Sequence, residues 1–172
     1  MGELYTIWNG AAPTTAKRVA VTTGTSIKTM LQIKMGTSGG PSRFKIVEWG
    51  ISFDGSALAT PISCELLTTG TVAATVTAHV AAGIQANDPL TTTPTSGVPF
   101  TFSTTTTGYT ATDEGSIVAS RTLDAQLILP LSQYVKQWPL GREPMVLATN
   151  YLRVRVHAGA AVNCLCYVVV EV

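Results

Sequence analysis

The final stretch of the chain, residues 152–172, constrains the fold more than any other. Its sequence is LRVRVHAGAAVNCLCYVVVEV. Leu152, Val154 and Val156 alternate with polar residues, and a period of two is typical of a strand with one buried face. After a short turn, the segment 163–172 is apolar on both faces. The pattern predicts two antiparallel strands joined by that turn, at the end of an all-β protein.

Stretches with the same period recur along the chain. The clearest are Ser26–Met35 and Arg43–Phe53. Turns rich in Gly, Pro and Asn separate them, and there is no amphipathic helix and no repeat of about 20–50 residues. Many short strands with such turns are typical of an antiparallel β-sandwich, and a chain of 172 residues is most simply one such domain.

Two regions depart from this regular pattern. Residues 1–16 predict an extended N-terminal arm, because turn residues and Pro13 follow a short apolar segment. The sandwich domain is therefore expected over residues 17–172. Within it, residues 70–108 form a long excursion with weak strand potential, and excursions of this length are normally functional or partly disordered.

The low charge of the chain limits its classes of partner. Only 12% of the residues are charged, 45% are hydrophobic, and the formal net charge is +1. The charged fraction is about half that of ordinary soluble domains, which indicates that part of the surface is contact surface. A net charge this small gives no strong attraction to nucleic acid or to anionic membranes, and no apolar run has the length of a membrane span. We expect neither nucleic acid nor membrane as a partner.

No motif for catalysis, cofactor binding or metal binding is present in the sequence. The two histidines, His79 and His157, lie far apart in different strands, and there is no phosphate-binding loop, nucleophile elbow or dinucleotide fingerprint. The adjacent carboxylates Asp113 and Glu114 are explained by turn chemistry. We therefore expect no enzyme activity, no cofactor and no metal.

The cysteines indicate the compartment in which the chain is made. There are three, Cys64, Cys164 and Cys166, and the last two point the same way on one strand and are poorly placed to pair. The N-terminus lacks the basic and apolar regions of a secretory signal. We expect buried free thiols in a protein made in a reducing cytoplasm.

The apolar surplus of the last strand predicts an interface. Leu165, Tyr167 and Val169 share the face that points away from the core, where an antiparallel sheet normally presents polar residues to water. We expect either a second subunit or the N-terminal arm to cover this face. The apolar residues of that arm are Tyr5, Ile7 and Trp8.

The preceding strand carries Arg153, Arg155 and His157 on one face. The simpler interpretation is a solvated face of a sheet, with Glu65 and Asp124 as ion-pair partners for strand arginines. The alternative is a row of basic side chains that binds an acidic protein or a phosphate. Two arginines and one mostly neutral histidine are too few for a nucleic-acid site. We include both arginines among the candidate interface residues.

Three stretches carry a resemblance to a known family: VEWGISFDGSA (47–57), FTFSTTTTGYTA (100–111) and PLGREPMVLATNYLRVRVHAGAAVNCLCYVVVEV (139–172). They resemble small jelly-roll proteins of tailed-bacteriophage heads, the auxiliary proteins known as cement or decoration proteins. The resemblance implies a jelly-roll β-sandwich, usually a homotrimer, on the outer surface of the head and made in the host cytoplasm. It also implies that the arm and the long loops bind the major capsid protein and stabilise the shell.

Two other functions remain open. A carbohydrate-binding or receptor-binding module of a virion tail would use the Thr-rich loops and aromatic residues such as Tyr109. A shell-forming coat protein of a small virus would share the jelly roll, but it usually carries a basic N-terminal arm for its genome, and no such arm is present here.

Overall fold

The computed structural model describes residues 2–36, 42–54, 60–91, 93–118 and 120–172. These residues form thirteen strands and one 3₁₀ turn at Ala81–Gly83, which confirms the predicted all-β class. The strands are β1 (Leu4–Trp8), β2 (Val21–Thr22), β3 (Lys28–Ile33), β4 (Arg43–Phe53), β5 (Ile62–Thr68), β6 (Thr75–Ala78), β7 (Ile84–Ala86), β8 (Gly108–Asp113), β9 (Arg121–Ile128), β10 (Gln133–Gln137), β11 (Met145–Leu147), β12 (Leu152–His157) and β13 (Asn163–Glu171).

The strands make two antiparallel sheets that pack face to face. The first sheet has the order β10-β4-β13-β1-β7, with β11 added to β4 and β2 added to β13. The second sheet has the order β6-β8-β3-β12-β5-β9. Eight of these strands, β1, β3, β4, β5, β9, β10, β12 and β13, have the connectivity of a jelly roll: successive strands change sheet, except that β5 and β9 are neighbours in the second sheet. The predicted jelly-roll-like sandwich is confirmed.

The two strands of the final stretch do not form the predicted hairpin. β12 lies in the second sheet between β3 and β5, whereas β13 lies in the first sheet between β4 and β1. The residues between them cross from one sheet to the other. The predicted inward faces are nevertheless right, because Leu152, Val154 and Val156 are each 1% exposed. Alternation identifies the buried face of a strand but not the strand beside it.

The prediction of an N-terminal arm is wrong for residues 4–8. These residues form β1, which pairs with β13 from Leu4 opposite Glu171 to Trp8 opposite Tyr167, and with β7 on its other side. Five alternating residues are too short a pattern to distinguish an internal strand from an arm. Residues 10–20, which follow, have no regular secondary structure.

The predicted excursion lies in an insertion between β5 and β9 that contains the strands β6, β7 and β8. β7 extends the first sheet beyond β1, and β8 and β6 extend the second sheet beyond β3. Since β1 and β3 are edge strands of the eight-stranded jelly roll, the insertion covers both edges on that side. On the opposite side, β9 and β10 remain the outermost strands of the two sheets.

One apolar core fills the space between the sheets, with Trp49, Phe44 and Phe100 among its largest side chains. All three cysteines are free and buried in this core, as predicted. Burial raises the pKa of the Cys64 thiol, so this cysteine is held in its unreactive protonated form.

Candidate functional site

Trp8, Gly50 and Tyr167 form the centre of the outer face of the first sheet. The rings of Trp8 and Tyr167 lie with their centroids 4.8 Å apart. The Tyr167 ring lies across Gly50 of β4, where an added Cβ would come within 2.5 Å of a ring carbon, so any larger residue at this position would displace the ring. The Tyr167 hydroxyl donates to the carboxylate of Glu48. We call this surface, together with Leu165 and Val169, the aromatic face.

The chain itself covers part of the aromatic face. Leu165, Tyr167 and Val169 are half-buried rather than exposed. The Arg18 guanidinium lies 4.9 Å above the Trp8 ring, and its Nη1 donates to the carbonyl of Ala11 at 3.1 Å. The sequence predicted that either the N-terminal segment or a second subunit covers this face. The N-terminal segment covers part of it, through Trp8.

Three predicted interface residues are inside the molecule. Tyr5 and Ile7 are 1% and 0% exposed, because their side chains point from β1 into the core. Arg153 is 0% exposed. None of the three is accessible to another protein, so the prediction that they form an interface is wrong. Trp8 lies on the aromatic face.

Arg153 is buried because the insertion folds over the outer face of the second sheet. Its Nη1 donates to the backbone carbonyl and to the carboxylate of Glu114, at 3.0 and 3.2 Å, and its Nη2 donates to the carbonyl of Val72. The Glu114 carboxylate also accepts hydrogen bonds from the backbone N–H and the hydroxyl of Thr29. An ion pair between β12 and the insertion therefore replaces the solvated face predicted from the sequence.

Gln32 of β3 extends this polar contact. Its amide nitrogen donates to the carbonyls of Ala74 and Thr106, and its amide oxygen accepts from the backbone N–H of Ala74 at 2.8 Å. We call Thr29, Gln32, Glu114 and Arg153 the polar latch. The apolar cluster beneath this part of the insertion contains only small or medium residues, so polar contacts fix its position. They join residues far apart in sequence, which is why no local pattern reveals them.

The neighbouring arginine has the partner expected from the sequence. Arg155 donates from Nε and Nη2 to one carboxylate oxygen of Glu65, at 3.0 and 2.7 Å, and the two residues are opposite each other on β12 and β5. The two side chains are 19% and 31% exposed. This pair lies on the molecular surface, unlike the polar latch.

Asp124 connects the two sheets on the side of β9 and β10. Its carboxylate accepts hydrogen bonds from Trp49 Nε1 at 3.0 Å, Tyr134 Oη at 2.9 Å, Lys136 Nζ at 3.1 Å and Gln126 Nε2 at 3.1 Å. Burial by itself raises the pKa of this carboxyl, but the four hydrogen bonds outweigh burial and hold the pKa below its ordinary value. Asp124 was expected to pair with a strand arginine; its cationic partner is a lysine.

His79 connects the insertion to β1. Its Nε2 lies 2.7 Å from the carbonyl oxygen of Trp8, and since a carbonyl can only accept, Nε2 carries the proton. The ring also packs against Tyr109, with centroids 4.9 Å apart. Burial lowers the pKa of His79 to about 4, so the ring is neutral near pH 7.

We expect His79 to make the protein less stable in mild acid. The unfolded chain binds a proton at this histidine below its ordinary pKa of about 6.5, whereas the folded chain does so only near pH 4. The stability that the neutral His79 contributes is therefore lost as the pH falls from 6.5 towards 4. Between pH 7 and pH 5 the free energy of unfolding should fall by about 2 kcal/mol. Urea unfolding of the wild type and of His79→Gln at both pH values measures it. His157→Gln replaces the exposed histidine and is the matched control.

Two open hollows flank the segment Lys17–Val19. One, about 340 Å³, lies between this segment and the half-buried Tyr109. The other, also about 340 Å³, lies between the same segment and Leu165 on the aromatic face. Both have the size of a small-ligand site.

No three His, Cys, Asp or Glu side chains are grouped as metal ligands in the described ranges. The same ranges contain no helix that is long and apolar enough to span a membrane.

Comparison with known proteins gives no relative. No protein-family model, curated protein or solved structure matches this chain. The function is therefore inferred from the geometry and the surface of the chain.

Proposed function

We propose that this chain is a structural subunit of a virus particle, a decoration protein that binds the outer surface of a tailed-phage head and cements the shell. The observation that carries the proposal is the distribution of polar and apolar side chains between the interior and the surface. Among the described residues, Asp124, Glu114 and His79 are engaged inside the chain, while fourteen large hydrophobic residues are exposed. Such a surface favours contact with other proteins over reaction with a substrate.

The engaged groups argue against a catalytic role. A reactive acid, base or nucleophile faces a pocket that a substrate can enter. Asp124 instead accepts from four donors, Glu114 is bound to Arg153, and His79 donates to a backbone carbonyl. Each of these groups holds two parts of the chain together, so we assign no reaction to the chain.

The fold is compatible with the proposal. Jelly rolls of this connectivity occur in viral capsid proteins and in lectins, and a fold alone does not assign a function. The stretches that resemble phage-head proteins include most of β4, the start of β8 and all of β11, β12 and β13. The resemblance thus concerns strands of both sheets rather than one local motif.

A decoration protein stabilises a shell by adding buried area between neighbouring shell subunits. A specific contact buries on the order of 1,000 Å² or more, and a shell under internal pressure then opens only when these contacts break together. The partners in this proposal are the major capsid protein and further copies of the chain, for which the resemblance implies a homotrimer. The chain would be made in the host cytoplasm and would occupy the outer surface of the head.

We expect particles that lack this protein to assemble but to release their DNA at a lower temperature than complete particles. The reason is that each missing subunit removes contact area that bridges shell subunits. A deletion in the phage genome, followed by heating and a DNA-release assay, measures the shift. Adding back the purified protein provides the control. Equal heat tolerance with and without the protein would contradict a cement role.

A receptor-binding or glycan-binding module is the second candidate, and the hollow beside Tyr109 is the observation that favours it. Aromatic rings at the wall of a hollow are suited to stack on sugars. The number of copies per particle separates the two functions, because a shell protein is present in hundreds of copies and a tail module in few. Specific binding on a glycan array, lost in Tyr109→Ala, would favour this candidate.

A further inference from the structure

The side of the molecule formed by β9 and β10 is open. β9 pairs only with β5, and β10 only with β4, so each presents one row of backbone groups without a strand partner among the described residues. Proteins protect such edges with short strands, lysines, prolines or a covering segment. The insertion covers the edges on the opposite side, but the eight-residue strand β9 contains neither lysine nor proline. We call the stretch from Arg121 to Leu147 the open edge.

Exposed apolar side chains are concentrated on the open edge. Seven of the fourteen large hydrophobic residues that are exposed in the described ranges lie between residues 127 and 147. They are Leu127, Leu129, Leu131, Val135, Leu140, Met145 and Leu147. Residues 127–147 contain three charged residues, and one of them, Lys136, is already paired with Asp124. A surface with so much apolar area and so little charge is typical of contacts between permanently associated chains.

We propose that β9 pairs antiparallel with β9 of a second copy of this chain, around a two-fold axis at Leu127. A second strand satisfies a free strand edge fully, because it supplies a matching row of donors and acceptors. Ala125, Leu127 and Leu129 follow one another with a period of two and are all exposed. With the axis at Leu127, this residue opposes its own copy and Leu129 opposes Ala125, so that the paired stripe is apolar throughout.

The charges of β9 do not oppose this pairing. Asp124 points inward and is bound to four donors of its own chain. Arg121 lies outside the paired stretch, because β9 ends at Ile128 and the chain turns at Pro130 and Leu131, so the ladder around Leu127 extends only from Ala125 to Leu129. No like charges therefore face each other, which is the condition a self-complementary two-fold contact must satisfy.

This pairing concerns the purified chain and does not depend on the proposed role in a particle. A two-fold contact gives an even number of chains: two, or six when the three-fold contact implied by the resemblance also forms. If the β9 pairing does not form, the proposed decoration role is unaffected. If the particle experiments contradict the decoration role, the proposed pairing is likewise unaffected.

Cysteine cross-linking tests the position of the axis. Residues directly opposite on antiparallel strands come close enough for a disulfide, so Leu127→Cys should convert to a covalent dimer on oxidation by copper–phenanthroline in air, with the two thiols giving up two protons and two electrons to the oxidant. The native cysteines are buried and do not compete in the folded protein. Leu90→Cys is the matched control, because Leu90 is 92% exposed on the insertion, against 74% for Leu127. Equal cross-linking of the two variants would overturn the proposal.

Light scattering of the uncross-linked protein tests the pairing itself. The wild type should have a mass of two or six times the 18.1 kDa of one chain, and Leu127→Lys should halve it, since an edge lysine blocks strand pairing. The 74% exposure of Leu127 means that neither substitution disturbs the core. A wild-type mass of one or three chains, or a Leu127→Lys variant with the wild-type mass, would overturn the proposal.

Discussion

Replacing Arg153 with alanine is expected to lower the free energy of unfolding by about 3 kcal/mol. The substitution leaves the Glu114 carboxylate without its cation and the carbonyl of Val72 without its donor. Removing one partner of a buried ion pair costs about 3–5 kcal/mol, and the low end applies because the Glu114 side chain keeps 24% of its exposure and regains some hydration. Urea unfolding measures the loss. Limited proteolysis should show faster cleavage within the insertion, whose polar latch is then broken.

Arg155→Ala is the matched control for this prediction. Arg155 is two residues away on the same face of β12, and its ion pair with Glu65 is partly exposed. Such surface pairs contribute about 1 kcal/mol or less, and this pair does not touch the insertion. If Arg153→Ala and Arg155→Ala had equal effects, the polar latch would not be what holds the insertion on the second sheet.

Asp124→Ala is expected to cost about 3–4 kcal/mol of unfolding free energy. The variant leaves the Trp49 indole N–H, the Tyr134 hydroxyl and the Lys136 ammonium without their common acceptor. A buried donor left without a partner costs about 1–3 kcal/mol, and the costs are not additive. Chemical denaturation followed by Trp fluorescence measures the effect, because Trp49 belongs to the affected group.

Lys136→Met tests the contribution of the ion pair separately from that of the other hydrogen bonds to Asp124. It keeps the aliphatic stem and removes one donor, which is 34% exposed, so we expect a loss of about 1 kcal/mol or less. Asp124→Asn has the same shape as the wild type, and its amide retains one acceptor oxygen. Its loss of unfolding free energy should therefore lie between those of Lys136→Met and Asp124→Ala. A loss in Lys136→Met as large as that in Asp124→Ala would show that the ion pair alone stabilises this side of the sandwich.

Local periodicity in the sequence predicts much of the secondary structure and its buried faces. The bounds predicted for β4, Arg43–Phe53, agree with the structure because eleven residues of a half-buried strand leave a clear pattern. β3 is also found, shortened by two residues at each end. The inward side of β12 and the outward position of Tyr167 follow from alternation in the same way.

The relations between strands lie beyond this local information. Arg153 alternates correctly with its apolar neighbours, yet it is buried because residues 39 positions away fold over it. Tyr5 and Ile7 belong to a strand whose pairing partner is more than 160 residues further along the chain. The open edge follows from neither composition nor period, since it is defined by which strand has no neighbour.

The pairing of β1 with β13 has a consequence for the order in which the protein folds. β13 lies between β4 and β1, so the first sheet lacks a central strand until the ribosome has synthesised the chain through Glu171. Sheets built from such distant segments fold slowly, because the loop-closure entropy is lost before the contacts form. A nascent chain released before residue 163 would expose the edges of β4 and β1, and we expect it to aggregate or be degraded.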